Sequence, residues 1–300
     1  MPLTPSPEPV WIVAPVTWDE VVRDHTERVP GGTALYTARA SEALGIQAQV
    51  LTLAGRDADL AALEGHTRHV VAADTLTLRH EFPDGERVQS LLQPPGRTLV
   101  PADAPRDWPE PATLLLAPLL AEDVDVTAFI DDYPLAEIGL LAQGLQRAVL
   151  PDQQIAHRAQ PSSVLVDAAR PNVTIFLSEE ETRLWPAGAI EHLAARAARV
   201  VVTRGAHGAR IVSRGGAREI PPAPVDPVDP TGAGDVFAAA FILGLRAGEE
   251  FAGRLAAACA AAACEVRGPG VLPSLTEIED RFHPASEAAG GEVADGGRPA

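Results

Sequence analysis

Apolar runs and segments with apolar residues at helical spacing alternate along most of this chain. Residues 10–15 (VWIVAP) form a continuous apolar run of the kind a buried strand shows. Residues 49–54, 113–117, 164–167, 173–177 and 200–203 repeat that pattern, while 34–44, 236–245 and 249–264 carry helical spacing. Strands separated by crossover-length segments predict an α/β fold with a doubly wound, mostly parallel sheet. Two stretches break the rhythm. Residues 75–93 alternate apolar and polar positions about Pro83-Asp84-Gly85, and 209–220 do so about Gly215-Gly216, so each predicts a hairpin. The first, inserted within α/β alternation, is a candidate lid or dimer surface, and the second belongs near a sheet edge. The chain shows no internal repeat.

One loop stands out within this pattern. Asp229-Pro230-Thr231-Gly232-Ala233-Gly234-Asp235 runs straight into the apolar segment beginning Val236-Phe237, so a tight, side-chain-poor turn opens a helix. Free amides of a first helical turn, the positive end of the helix dipole and glycines that permit close approach together suit an anion. A carboxylate beside a phosphate cradle repels the ground state, which makes sense for a group that takes a proton from an attacking hydroxyl. On spacing alone the loop reads equally as a tight turn with Asp235 as a simple cap.

Composition narrows the choice. The 300 residues are 46% apolar with a net charge of −17, which suits an enzyme of small molecules and argues against nucleic acid as a partner. All 24 basic residues are arginine, which excludes a Walker-type phosphate lysine and a Schiff-base enzyme. Any bound phosphate is then held by backbone amides, arginine and a metal. No apolar run has membrane-spanning length and the start lacks a signal-peptide pattern, so no membrane partner and a cytoplasmic location are expected. Cys259 and Cys264 read as small core residues. His66, His69, His157, His192 and His207 show no ligand spacing and read as surface residues.

Other candidates follow expected strands. Asp19 is expected just past the first strand, where open α/β sheets place ligand contacts, or as a plain turn residue. Gly31-Gly32 precede the first helix, and Thr203-x-Gly205-x-x-Gly208 follows RVVVT; each serves close backbone approach or simply a turn. Glu179, Glu180 and Glu181 open a helix as a dipole-compensating face, but a carboxylate near a phosphate site also holds Mg²⁺ directly or through water. Residues 10–284 read as one domain with lid elements near 16–31 and 74–100, and 1–9 and 285–300 as disordered tails.

From about Val10 to Phe282 this ordered set resembles the ribokinase-like, or PfkB, carbohydrate kinase family, whose C-terminal signature the D-P-T-G-A-G-D segment matches. The resemblance implies a doubly wound sheet with a small β lid, and transfer of the γ-phosphate of ATP to a hydroxyl of a sugar or polyol. It implies Asp235 as base, Gly232, Ala233 and Gly234 as anion hole, and Asp19, Gly31, Gly32 and Tyr36 in the acceptor pocket. Thr203, Gly205, Gly208, Thr231 and Cys259 would contact ATP, and Glu181 would position Mg²⁺. A monovalent-cation requirement and a homodimer through the lid hairpin are compatible with it.

Three positions depart from the pattern. Ser178 stands where the Glu181 motif usually starts with asparagine, Tyr36 replaces a substrate-facing asparagine, and Cys259 replaces an asparagine near the adenine end. These changes resemble a poorly characterised branch for which inositol-like polyols are one suggested acceptor class, with Gln143 and Gly144 reading equally as pocket residues or as part of a helix face. A catalytically weak member of the same fold, binding a nucleotide or metabolite as a sensor or scaffold, is the rival reading. A dinucleotide-dependent oxidoreductase is not supported, because no G-x-G-x-x-G follows an early strand.

Overall fold

Why the strands are apolar throughout becomes clear from the central sheet, which is covered on both faces. The computed structural model describes residues 8–281. In chain order it contains β1 (Val10–Val13), β2 (Thr17–Val22), β3 (Thr26–Gly31), α1 (Thr33–Ala43), β4 (Gln49–Ala54), β5 (Thr67–Ala72), β6 (Leu76–Glu81) and β7 (Val88–Gln93). There follow β8 (Thr113–Leu116), α2 (Val126–Asp132), β9 (Glu137–Leu141), β10 (Arg147–Val149), β11 (Ile155–His157), α3 (Ser163–Ala168), β12 (Val173–Ser178) and α4 (Glu179–Thr182). The chain continues through α5 (Ala189–Ala194), β13 (Arg199–Thr203), β14 (Ala209–Ser213), β15 (Gly216–Ile220), α6 (Ala233–Gly244), α7 (Glu249–Cys264) and α8 (Leu275–Asp280).

The nine-stranded sheet has the order β15-β14-β13-β12-β9-β8-β1-β4-β5, parallel from β13 to β5, with the 209–220 hairpin forming the antiparallel edge. Alternate residues of one strand feed opposite cores. Val10 and Ile12 of β1 face the side of α1, α6 and α7, while Trp11 and Val13 join Phe129 of α2 and Leu165 of α3. A separate four-stranded sheet, β3-β2-β6-β7, forms the lid, and Leu76, Leu78 and Leu91 close it over Leu119 and Leu120 of the body.

The sheet order reverses at β1, which has β8 on one side and β4 on the other. Such switch points are where open α/β sheets bind ligands. The start of α1 is fixed there, because Thr33 Oγ1 donates to the Ala117 carbonyl just past β8 at 2.7 Å.

Several expectations change. Residues 164–167 form part of helix α3 and not a strand, because the Ser162 hydroxyl caps the Leu165 amide and only Leu165 and Ala168, three apart, are buried. The parallel strand between β8 and β12 is instead β9, where Gly139 lets Ile242 of α6 pack against the backbone. Asp19 follows the first strand as expected but is itself in a strand, β2, which pairs with β3 as a lid hairpin. His66 is buried and not at the surface: its Nδ1 accepts from the Ala48 amide at 3.0 Å and its Nε2 meets the Ala38 carbonyl at 3.0 Å. Of the expected tails, Pro9 is already anchored, its carbonyl accepting from Ala112 and Thr113. Residues 1–7 and 282–300 lie outside the described residues.

Candidate active site

The loop before α6 is shaped by its own first carboxylate. Asp229 Oδ1 accepts from the Thr231 amide at 3.0 Å and Oδ2 from the Gly268 amide at 3.2 Å. The amides of Val228 and Asp229 both donate to the Cys264 carbonyl, which ties the loop to the end of α7. Burial raises the Asp229 carboxyl, but the hydrogen bonds from Thr231 and Gly268 outweigh it and leave the group below its ordinary value. The chain then turns through Gly232 at φ +77, the N-cap of α6, a conformation that an L side chain resists. Gly234 faces open space, so a ligand could approach its backbone. Ala233 spends its amide on the Pro230 carbonyl at 3.2 Å, which leaves Gly234 and Asp235 as the unladdered first-turn amides best placed for an anion.

Three acids and a phenol converge on this loop. Asp235 retains partial solvent access, yet burial pushes its carboxyl up to about 7. Arg147 opposes that rise, and Glu181 and Asp19 add to it. The buried Tyr36 lies against Gly232, and its hydroxyl is pushed well above the usual range by burial and by Asp19, Asp235 and Asp229. A Cβ on Gly31 would collide with Asp19 Oδ2, and one on Gly32, at φ +97, would sit 2.7 Å from the Pro15 carbonyl. The structure therefore gathers Asp19, Gly31, Gly32, Tyr36, Gly232 and Asp235 around one space.

Of the remaining candidates, Glu181 acts on Asp235 from the body side. Ser178 ends β12 beside Thr203, its register partner at the end of β13. Ser178 and Glu181 form a capping box, with the Ser178 amide donating to Glu181 Oε2 at 2.8 Å and the Glu181 amide to the Ser178 hydroxyl at 3.2 Å. Burial raises Glu181, against the pull of Ser178, Arg147 and His157. Gly205 (φ +52) and Gly208 (φ +77) bound a short turn after Thr203, and Gly208 packs too closely on the Ile220 carbonyl to carry a side chain. Thr231 is exposed. Cys259 is fully buried in α7, and burial pushes its thiol up to about 12, so it stands as a core residue facing no open space.

Four residues not expected at the site lie beside it: Arg147, His80 and Gln89, which the sequence did not single out, and His157, which was expected at the surface and is half-buried. Arg147 is buried at the start of β10 and donates to the Leu119 carbonyl at 3.1 Å and to Gln89 Oε1 of the lid at 3.2 Å. His157 stands directly opposite Arg147 in the β10–β11 ribbon and reaches Glu180 at 3.4 Å. His80 and Gln89 are buried in the lid sheet between Arg147 and Asp19. The one sequence signal for Arg147 was its place in the segment 139–147, three residues after Gly144, whose close packing on Pro118 admits no side chain.

Comparison with known proteins agrees with the fold. Residues 146–278 match the model of the pfkB family carbohydrate kinases. The chain is 27% identical over 275 residues to a ribokinase of Bacillus subtilis (strain 168), covering 89% of this chain and 92% of that protein. Its fold is similar to that of a Burkholderia thailandensis nucleoside kinase in complex with inosine, with TM-score 0.70, 20% identity and coverage of 92% and 97% of the two chains. It is also similar to a pyrophosphate-dependent kinase in the ribokinase family complexed with a pyrophosphate analog and myo-inositol, with TM-score 0.72, 17% identity and coverage of 91% and 99%. Among the described residues, no helix is long and apolar enough to cross a membrane, and no cluster of three or more His, Cys, Asp or Glu forms a metal cage.

Proposed function

Because this chain belongs to the ribokinase-like PfkB family of carbohydrate kinases, we propose that it transfers the γ-phosphate of ATP to a hydroxyl of an uncharged sugar or polyol. The observation that carries this reading is the meeting of Asp19 and Tyr36 with Asp235 and the Gly232 turn. Four carboxylates, Asp19, Glu181, Asp229 and Asp235, surround the space against one buried guanidinium, Arg147, so an anionic acceptor would be repelled.

In the proposed reaction Asp19 orients the acceptor hydroxyls from the lid side. The attacking oxygen forms its bond to the γ-phosphorus as the bond to the leaving ADP oxygen breaks, and its proton passes to the Asp235 carboxylate. Charge on the transferring group is met by the first-turn amides and the dipole of α6, with Gly232 allowing close approach. Thr203, Gly205 and Gly208 form the nucleotide side.

Mg²⁺ suits the donor set, because one carboxylate, Glu181, fits an ion that keeps its waters and takes most ligands from the phosphates of ATP. When bound, it would supply neutralisation of phosphate charge. Glu181 Oε2 is held by the Ser178 amide, which leaves Oε1 for a metal-bound water.

ADP release should be measured over myo-inositol, D-ribose, D-fructose and inosine. Turnover with at least one of them is expected. Binding of ATP without turnover on any acceptor would replace this reading with that of a nucleotide-binding protein.

A further inference from the structure

Four buried side chains run in a line from the body into the lid. Arg147 Nη2 lies 3.2 Å from Gln89 Oε1, Gln89 Nε2 lies 3.3 Å from His80 Nδ1, and His80 Nε2 faces Asp19 Oδ1 at 3.6 Å. Arg147, Gln89, His80 and Asp19 are each no more than 9% exposed. They come from β10, β7, β6 and β2, so the line enters the lid sheet at its edge strand β7 and crosses three of its four strands.

The chemistry of the first member fixes every later one. Arginine only donates, so the Gln89 atom that faces it is the carbonyl oxygen, and the amide nitrogen must face His80. That nitrogen also only donates, so His80 Nδ1 is the acceptor and the ring proton sits on Nε2. Nε2–H then points at Asp19 with no other partner, since the nitrogen is buried and unbonded at 3.6 Å. The Thr17 hydroxyl already donates to the same Asp19 oxygen at 2.9 Å. Oδ1 therefore accepts from Thr17 and is faced by the His80 ring, and Oδ2, packed over Gly31, is left for a ligand.

We propose that His80 is a positioning residue for acceptor binding, its tautomer set by Arg147 through Gln89 so that Nε2–H steadies Asp19 Oδ1 and presents Oδ2 to the acceptor. Because Arg147, on the β10–β11 ribbon, is tied to the Leu119 carbonyl of the body while the other three residues are on the lid, the relay is complete only while the lid rests on Leu119. Acceptor affinity is in this way tied to lid placement. The proposal rests on Asp19 being the acceptor-binding carboxylate.

Two measurements test it. In ¹⁵N-labelled protein without substrates, the His80 ring should show the Nε2–H tautomer, and Gln89→Leu should turn it into a tautomer mixture. In steady-state kinetics with the best acceptor of the panel above, His80→Leu should raise acceptor KM about tenfold or more, as for loss of a hydrogen bond to a charged group. The KM for ATP and kcat should stay within about threefold, and His80→Gln, whose amide still presents one acceptor and one donor, should recover most of the loss. An Nδ1–H tautomer in the wild type would overturn the relay. So would an unchanged acceptor KM in His80→Leu, or equal losses in His80→Gln and His80→Leu. If the wild type turns over no acceptor, the kinase reading fails on its own, while the tautomer measurement still decides the relay.

Discussion

The Tyr36 ring rests on the α-carbon of Gly232, so that a side chain at 232 would overlap the ring's Cγ, Cδ1 and Cε1. Tyr36, proposed to line the acceptor pocket, thus also braces the glycine turn that opens α6.

Gly232→Ala meets that ring and must also hold φ +77. Unfolding by denaturant should show a loss of about 1–3 kcal/mol, and kcat should fall by at least about 10² as the first-turn amides shift. Adding Tyr36→Ala removes the collision but not the backbone strain, so stability should return in part and kcat should not.

Asp235→Asn should lower kcat by a factor on the order of 10² to 10⁴ while ATP still binds in calorimetry. Because the carboxyl stands near 7 in the folded chain, wild-type kcat should fall as pH drops through about 7. Its stability effect has the opposite sense. A folded value raised from 3.8 favours folding at low pH and loses that contribution as pH rises through about 7. The thermal midpoint of Asp235→Asn should exceed that of the wild type at pH 8, with the two converging below pH 4. A lower midpoint for Asp235→Asn at pH 8 would contradict the burial of the base.

Burial raises the Asp235 carboxyl, Arg147 is the cation that opposes the rise, and Glu181 and Asp19 add to it. Arg147→Met should move the acid limb of the kcat profile upward by about one pH unit. An unmoved limb would show that the guanidinium does not act on the base.

Glu181→Gln keeps an oxygen for the Ser178 amide, so the capping box and thermal stability should change little. Activity should require about tenfold more Mg²⁺, measured by titrating the metal at fixed ATP. An unchanged Mg²⁺ requirement would remove Glu181 from the metal site.

The parallel sheet, both hairpins and helices α6 and α7 could be read from the sequence, because each is written in apolar periodicity and local turn chemistry. Asp19 and Asp235 stood out because carboxylates beside glycine turns are locally odd. The lid hairpin of β2 and β3 was not seen as strands, since TWDEVV and TERVPG place charged residues where a buried face would be apolar. Helix α3 was misread because the run SVLVDA has strand-like residues, and only the Ser162 cap and one-sided burial make it helical. The roles of Arg147 and His80 were not legible for a different reason. Arg147 is one of 24 arginines, and its burial depends on Gln89, 58 positions earlier in the chain. Local spacing carries no trace of such a contact.

The separation of Asp19 and Asp235 onto two bodies has a consequence for the donor as well as the acceptor. Asp19 belongs to the lid sheet and Asp235 to the first turn of a body helix. On the proposed reading, an acceptor with several hydroxyls would engage both at once, whereas a water molecule at Asp235 would gain nothing from Asp19. The division should hold hydrolysis of ATP in the absence of acceptor far below the rate of transfer, without any residue assigned to keeping water out.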